Sequence, residues 1–130
     1  MAHTALELSG TRILALNSEG QKLKSERDAT ELIGEALHSG AGLVLIPVER
    51  FEDDFFCLHT RVAGGFIQKF VTYRILLTVV GDVSHFLRKS AALRDFIFET
   101  NRGDHVWFLD NVEELEKRLG SRTSFQTHEP

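Results

Sequence analysis

The sequence predicts a single α/β domain, in which an N-terminal β-hairpin precedes alternating helices and strands of a mixed, mostly parallel sheet. Segments with helical spacing of apolar residues alternate along the chain with short, uninterrupted apolar segments. Strand–helix–strand crossovers force the strands they join to be parallel. A chain of 130 residues with 42% hydrophobic content is long enough to bury one core.

The hairpin is predicted at the N-terminus. Two short apolar segments, residues 5–8 and 12–16, flank Ser9 and Gly10, and glycine tolerates the positive φ that tight turns need. The second segment is the more apolar, so we expect it to lie more centrally in the sheet.

The first helix is predicted to begin after Ser25, whose hydroxyl can cap it while Asp28 reaches back to the backbone. Gly40 is expected to end this helix. Residues 42–46 have no polar interruption, which predicts a strand buried on both faces. Pro47 ends that strand because it has no N–H to donate.

The longest helix is predicted over residues 55–73, where apolar residues keep helical spacing for more than three turns. Gly64 and Gly65 interrupt it, although a glycine inside a helix costs about 1 kcal/mol relative to alanine. Two interpretations remain open: a neighbouring backbone approaches the glycines closely, or the helix kinks or breaks near Gly65.

The remaining elements follow the same alternation. Residues 75–80 and 105–109 predict two further strands, and Ser90 can cap the helix between them. A final helix is predicted from residue 111, with Gly120 as its end. The domain is therefore predicted to span residues 1–120, and residues 121–130 are predicted to form a flexible polar tail.

Composition argues against several classes of function. The net charge is −4 and the 15 basic residues are dispersed, so we expect no nucleic-acid partner. No apolar segment approaches the roughly 20 residues that span a bilayer, and no signal peptide is evident, so we expect no membrane association. The single cysteine fits a reducing compartment. The expected location is the cytoplasm.

The sequence shows no metal-binding or cofactor-binding pattern. The six histidines include no pair three or four residues apart, so no helix places two imidazoles on one face. The glycines lack the spacing of phosphate-binding loops. Cys57 and His59 would point apart on a helix, and we interpret Cys57 as partly buried and unreactive.

Ligand-binding candidates come from two places. The first is the carboxyl end of the strands, where ligands gather in parallel α/β folds. There Asp82 and Ser84 could bind a ligand or, with Asp110 and Glu49, a hard cation. The alternative is that Asp82 and Ser84 only form a turn and a helix start.

The second place is the helix after Ser90. Arg94, Asn101 and Arg102 could line a polar pocket there, although pairing within the helix and capping explain some of them without a function. Phe98 points away from the apolar face of the same helix. It either packs against the 55–73 helix or meets a second subunit.

The outer face of the 55–73 helix is the candidate interface. It is small and polar without being charged throughout, unlike an ordinary solvated helix face. Its members, together with Phe98, are predicted to contact a second copy or another protein: Arg61, Gly64, Gly65, Gln68 and Thr72.

Three segments, FFCLHTRVAGGFIQKFVTYR, LTVVGDVS and SAALRDFIFETNRG, resemble signature blocks of a bacterial family known as a domain of unknown function. That family is related in fold to STAS domains, the small α/β modules of anti-sigma factor antagonists. The resemblance covers residues 13–109 and implies a STAS-like fold without an established activity. At Cys57, His59, Gly65 and Thr72 the family pattern usually has Asp, Lys, an acidic residue and Asn, so any site there is altered. The Ser-Ser stretch of phosphoregulated STAS domains is missing.

These observations predict a non-catalytic regulatory or protein-interaction module, homodimeric or bound to another protein. The alternative is a small-molecule-binding protein or small enzyme that uses the loops at the carboxyl ends of the strands.

Overall fold

The fold is a five-stranded sheet with helices on both faces. The computed structural model describes residues 3–127, apart from the side chains of residue 59 and of residues 122–127. The strands lie in sequence order: β1 (His3–Leu8), β2 (Thr11–Leu16), β3 (Leu43–Pro47), β4 (Leu76–Val80) and β5 (Val106–Leu109). β1 is antiparallel to β2, and the other neighbours are parallel. The predicted fold class is confirmed.

Five α-helices accompany the sheet: α1 (Glu26–Ser39), α2 (Val62–Tyr73), α3 (Ser84–Leu87), α4 (Ala91–Asn101) and α5 (Val112–Thr127). The chain advances one strand at a time from β2 to β5, and parallel crossovers are right-handed. The three long crossover helices, α1, α2 and α4, therefore share one face of the sheet. None of the described helices has the length and apolar character needed to cross a membrane.

The larger core lies under these three helices. Val44, Ile46, Leu77 and Val79 project from the central strands. Side chains from the helices and the β3–α2 connection cover them, and the largest are Ile33, Phe55, Phe66, Phe70 and Leu93. Complete burial of such side chains is the main stabilising contribution to the fold.

A smaller core lies on the opposite face. Leu115 and Leu119 of α5 pack there with Trp107 and with apolar residues of β2, β3 and β4. The Trp107 indole N–H donates to the carbonyl of Gly103 at 2.8 Å, which satisfies the polar atom of this buried ring. Thr78 is fully buried, and its hydroxyl has no hydrogen-bond partner among the described residues.

The predicted capping of α1 is confirmed. The Ser25 hydroxyl accepts from the Asp28 N–H at 3.4 Å, and the Asp28 carboxylate accepts from the Ser25 N–H at 3.2 Å. Gly40 ends the helix in the left-handed conformation, with φ 78°.

The predicted helix over residues 55–73 is wrong in its first half. Two short 3-10 turns, Asp53–Phe56 and Leu58–Thr60, come first, and α2 begins only at Val62. Thr60 explains the interruption, because its hydroxyl accepts from the Val62 N–H at 3.3 Å and lies 2.8 Å from the Asp54 carbonyl. Arg61 adopts the left-handed conformation, with φ 64°.

Two further boundaries differ from expectation. α2 continues through Gly64 and Gly65, so of the two interpretations left open by the sequence, a break near Gly65 is wrong. α5 continues past Gly120 to Thr127 and, at 16 residues, is the longest described helix. Gly120 does not adopt the positive φ of a helix-ending glycine. The rest of the predicted tail, residues 128–130, lies outside the described residues.

Candidate functional site

The carboxyl ends of β3, β4 and β5 meet at one edge of the sheet, because these strands are parallel. The β3–α2 connection starts with the 3-10 turn Val48–Arg50, and the β4–α4 connection starts with Gly81. These two connections touch. A Cβ atom at Gly81 would lie 2.9 Å from Cγ2 of Val48. The Gly81 N–H donates to the Leu109 carbonyl at 3.0 Å.

Arg50 fixes the neighbouring β2–α1 loop to this edge. Its guanidinium donates from Nε to the Gln21 carbonyl at 3.1 Å and from Nη1 to the Asn17 carbonyl at 3.0 Å. The Arg50 carbonyl in turn accepts from the Leu23 N–H at 2.6 Å. The side chain is 5% exposed, and within the described residues no carboxylate lies within 4.0 Å of its nitrogens. Carbonyl dipoles therefore stabilise this buried charge.

A cluster of phenylalanines lies beneath the same edge. Phe51 and Phe55 have ring centroids 4.0 Å apart, and Phe66 contacts both. Phe56 stacks on Phe86 of α3, with centroids 4.4 Å apart and an interplanar angle of 20°. The Phe56–Phe86 pair joins the β3–α2 connection to the β4–α4 connection.

A cavity of about 390 Å³ opens beside this stacked pair. Phe56, Cys57 and Leu58 line it from the β3–α2 connection, and the other lining residues are Phe86, Lys89, Ser90 and Ala92. Cys57 is exposed, so the prediction of a partly buried thiol is wrong. Cys57 lies between the two 3-10 turns Asp53–Phe56 and Leu58–Thr60. His59 is the residue that could act as a base for this thiol, and its side chain lies outside the described residues.

Asp82 and Ser84 form a turn at the end of β4. Asp82 Oδ1 accepts from the Ser84 N–H at 2.9 Å, and Ser84 begins α3. This backbone hydrogen bond, together with the Ser84 hydroxyl, holds the pKa of the exposed Asp82 carboxyl below its ordinary value of 3.8. Among the described residues no group of three or more His, Cys, Asp or Glu side chains could hold a metal ion. Glu49 and Asp110 therefore do not join Asp82 in a cation site.

Arg94 and Arg102 are separated along α4. The Arg94 guanidinium donates to the Leu87 carbonyl at 2.5 Å, close to the α3–α4 junction. Arg102 lies at the other end, 3.6 Å from the Glu99 carboxylate and 5.8 Å from the ring centre of Phe98. Phe98 is 65% exposed, so it does not pack against α2. The polar pocket predicted from these arginines is not formed as one group, and their roles in binding stay predictions.

Asn101 covers the outer edge of β5. Its side-chain oxygen accepts from the Phe108 N–H at 2.7 Å, and its side-chain nitrogen donates to the Phe108 carbonyl at 3.0 Å. The amide group thus pairs with the backbone N–H and carbonyl of Phe108 as a neighbouring strand would. Both of its polar atoms are occupied, which gives Asn101 a structural role that its sequence position did not indicate.

We expect Asn101→Asp to lower the free energy of unfolding by about 1–2 kcal/mol. The carboxylate can still accept from the Phe108 N–H, but it faces the Phe108 carbonyl without a proton to donate. Urea denaturation monitored by the fluorescence of Trp107 measures the change. Glu99→Gln, an exposed change on the same helix, is the control, and equal stability of the two variants would contradict the role of Asn101.

The two glycines of α2 have different surroundings. A Cβ atom at Gly65 would meet the carboxylate of Glu26, so a side chain from the first turn of α1 covers this position. Lys69, one turn later, lies 3.9 Å from the same carboxylate. At Gly64 a Cβ atom would meet nothing within 4 Å. The neighbour at Gly65 is thus a side chain of the same chain and not the backbone expected from the sequence, whereas Gly64 faces open space.

The rest of the predicted interface lies on the exposed side of α2. Arg61, Gln68 and Thr72 are exposed, and Gln68 Nε2 donates to the Thr72 hydroxyl at 3.4 Å. We call Arg61, Gly64, Gln68 and Thr72 the outer face of α2. The structure places these residues together, apart from Gly65, and their contact with a partner stays a prediction.

Comparison with known proteins gives a family and no function. The family described as Domain of unknown function (DUF4180) matches residues 8–119. No curated protein and no solved structure matches the chain. The match covers β2 to the second turn of α5, with the Arg50 contacts, the cavity and the outer face of α2. The chain therefore belongs to the DUF4180 family.

Proposed function

We propose that this chain is a STAS-like, non-catalytic regulatory or protein-interaction module of the bacterial cytoplasm, which associates as a homodimer through the outer face of α2. The order of elements, a hairpin followed by single-step crossovers to a parallel sheet, agrees with the STAS relation that the sequence blocks suggest. The family is described only as a domain of unknown function.

One observation carries the proposal: Gly64 is exposed on α2, and nothing lies within 4 Å of its missing Cβ atom. Glycine in a helix costs up to about 1 kcal/mol relative to alanine. The Glu26 side chain covers Gly65, whereas none of the described residues covers Gly64. Gly34 of α1 is equally open, so Gly64 points to an interface through the small and polar side chains around it. A second backbone that approaches α2 at Gly64 would account for both.

The neighbours of Gly64 suit such a contact. Arg61, Gln68 and Thr72 offer hydrogen-bond groups on both sides of the gap, and Gln68 and Thr72 carry no charge that a partner would have to desolvate. Phe98 on α4 is the other predicted contact residue. An exposed aromatic ring beside an arginine, here Arg102, is typical of residues that anchor interfaces.

Gly64→Leu is expected to weaken the dimer about 5- to 150-fold, because overpacking an interface costs about 1–3 kcal/mol. Size-exclusion chromatography with light scattering over a dilution series measures the dissociation constant. The variant should not unfold, since leucine is the better helix former and its side chain enters open space in the monomer.

Gly34→Leu is the matched control. Gly34 is an exposed glycine inside α1, and its missing Cβ atom also meets nothing within 4 Å. Both variants should show a cooperative melting transition, but only Gly64→Leu should dissociate the dimer and lose the concentration-dependent part of the melting temperature. A monomeric parent chain, or a dimer that tolerates leucine at position 64, would refute the homodimer.

The cavity favours a second candidate function, the binding of a small molecule at the carboxyl edge of the sheet. Ligands of parallel α/β folds bind there. The cavity of about 390 Å³ lies between the connections that follow β3 and β4.

A further inference from the structure

The cavity beside Phe56 and Phe86 has the size of a binding site for a small organic molecule. Its volume of about 390 Å³ falls within the roughly 300–1,000 Å³ typical of such sites. Two connections build it: residues 56–58 after β3, and α3 with the start of α4 after β4. Both connections are held in place, the first by the phenylalanine cluster and the second by the stacked pair.

The residues that line the cavity favour a ligand with an apolar body. Phe56 and Phe86 contribute ring surface, and Leu58 and Ala92 contribute aliphatic surface. Phe56 is 4% exposed and fixed by contacts with Phe51 and Phe55. A ring-containing ligand can stack or pack edge-on against these side chains, which adds to the hydrophobic gain.

The charges around the cavity select an anionic group. Lys89 lines it with an amine that lies 3.3 Å from Nε2 of His85, and none of the described acidic side chains lines it. Arg88 precedes Lys89, and the Arg94 guanidinium lies against the Leu87 carbonyl. The nearby Asp82 carboxylate is engaged with Ser84. The first turn of α4 also borders the cavity at Ser90 and Ala92. The positive end of the helix dipole lies there and, like the Lys89 amine, favours an anion.

We propose that this cavity binds a small aromatic acid, with the ring between Phe56, Phe86 and Leu58 and the carboxylate at Lys89. The proposal rests on the second candidate function above and adds the chemical class of the ligand. Cys57 faces the cavity with an exposed thiol, so a bound acid covers the thiol.

The test uses the alkylation rate of Cys57, which is the single cysteine of the chain. The neutral reagent N-ethylmaleimide is added with increasing 2-naphthoate, 2-naphthamide or 2-naphthylmethylammonium, which share one ring system and differ in charge. Occupancy slows the reaction in proportion to binding, about tenfold at ten times the dissociation constant. We expect 2-naphthoate to protect at the lowest concentration, at least about threefold below the amide.

Two pairs of variants locate the site. Ala92→Trp should fill the cavity and remove protection by naphthoate, whereas Ala91→Trp changes the adjacent exposed alanine that does not line it. Lys89→Gln should raise the dissociation constant of naphthoate toward that of the amide and leave the amide unchanged, and Lys89→Arg should restore the affinity for naphthoate. Lys117→Gln, on α5, is the charge control. Thermal melting verifies that each variant is folded.

The outcomes separate the ligand class from the site. Equal protection by the acid and the amide, or stronger protection by the ammonium compound, would overturn the aromatic acid while small-molecule binding at the cavity stands. Protection that survives Ala92→Trp would overturn the cavity as the site. Absence of protection by all three compounds at millimolar concentration would overturn both the ligand class and the second candidate function.

Discussion

Arg50→Met is expected to lower the free energy of unfolding by about 3–6 kcal/mol, because it removes two hydrogen bonds from a charged donor, which contribute about 1.5–3 kcal/mol each. Methionine keeps the apolar stem but leaves the carbonyls of Asn17 and Gln21 without their buried donor. Gly20 would also lose its packing partner, since a Cβ atom there would lie 2.9 Å from the guanidinium carbon. The β2–α1 loop would then lose this side-chain anchor, while the backbone hydrogen bonds of Leu23 with Arg50 and Glu52 remain.

Urea denaturation with tryptophan fluorescence measures this change, and Arg27→Met is the matched control. The Arg27 side chain is 87% exposed and pairs only with Glu31, 3.6 Å away in the same helix, so its loss should cost less than about 0.5 kcal/mol. Arg50→Lys should recover only part of the stability, because one ammonium group cannot reproduce the planar fork that reaches two carbonyls. A loss in Arg50→Met no larger than that of Arg27→Met would show that Arg50 does not hold the loops.

Gly81→Ala is expected to destabilise the fold by about 2–4 kcal/mol. Gly81 has φ 140°, a conformation that costs a residue with a side chain about 1–3 kcal/mol. The new Cβ atom would also lie 2.9 Å from Cγ2 and 3.0 Å from Cβ of Val48, and such overpacking costs about 1–3 kcal/mol. Val48 cannot retreat easily because it packs against the larger core.

Gly42→Ala is the control for Gly81→Ala, since Gly42 has no positive φ and its missing Cβ atom meets nothing within 4 Å. Combining Gly81→Ala with Val48→Ala separates the two causes. The double variant should be more stable than the sum of the single losses predicts, by the packing part of the cost. Exact additivity would assign the whole effect to the backbone, and a neutral Gly81→Ala would refute both causes.

The sequence was sufficient for features that depend on neighbouring residues. The capping of α1 by Ser25 and Asp28 and the uninterrupted apolar strand before Pro47 are local patterns, and both are present. The start of α2 was not predictable from apolar spacing. The Thr60 side chain hydrogen-bonds to nearby backbone groups in place of the helix's own bonds and interrupts the helix there. This substitution of hydrogen bonds does not change the spacing of apolar residues in the sequence.

The site was less predictable because its contacts join distant segments. Arg50 is 33 and 29 residues from the two residues whose carbonyls it binds. Gly65 meets Glu26 on another helix. Asn101 looked like a ligand group, but its amide binds β5 across a turn. A polar residue in a sequence does not show whether the protein's own backbone already satisfies it.

The placement of α5 has a consequence for synthesis on the ribosome. The long crossover helices lie on one face of the sheet. The apolar side chains on the opposite face of β2, β3, β4 and β5 become buried only when Leu115 and Leu119 pack against them. A nascent chain that has already formed all five strands still exposes Leu43, Leu76 and Trp107 to solvent. Until α5 emerges from the ribosome, this exposed apolar face is the surface that chaperones and other nascent chains would contact first.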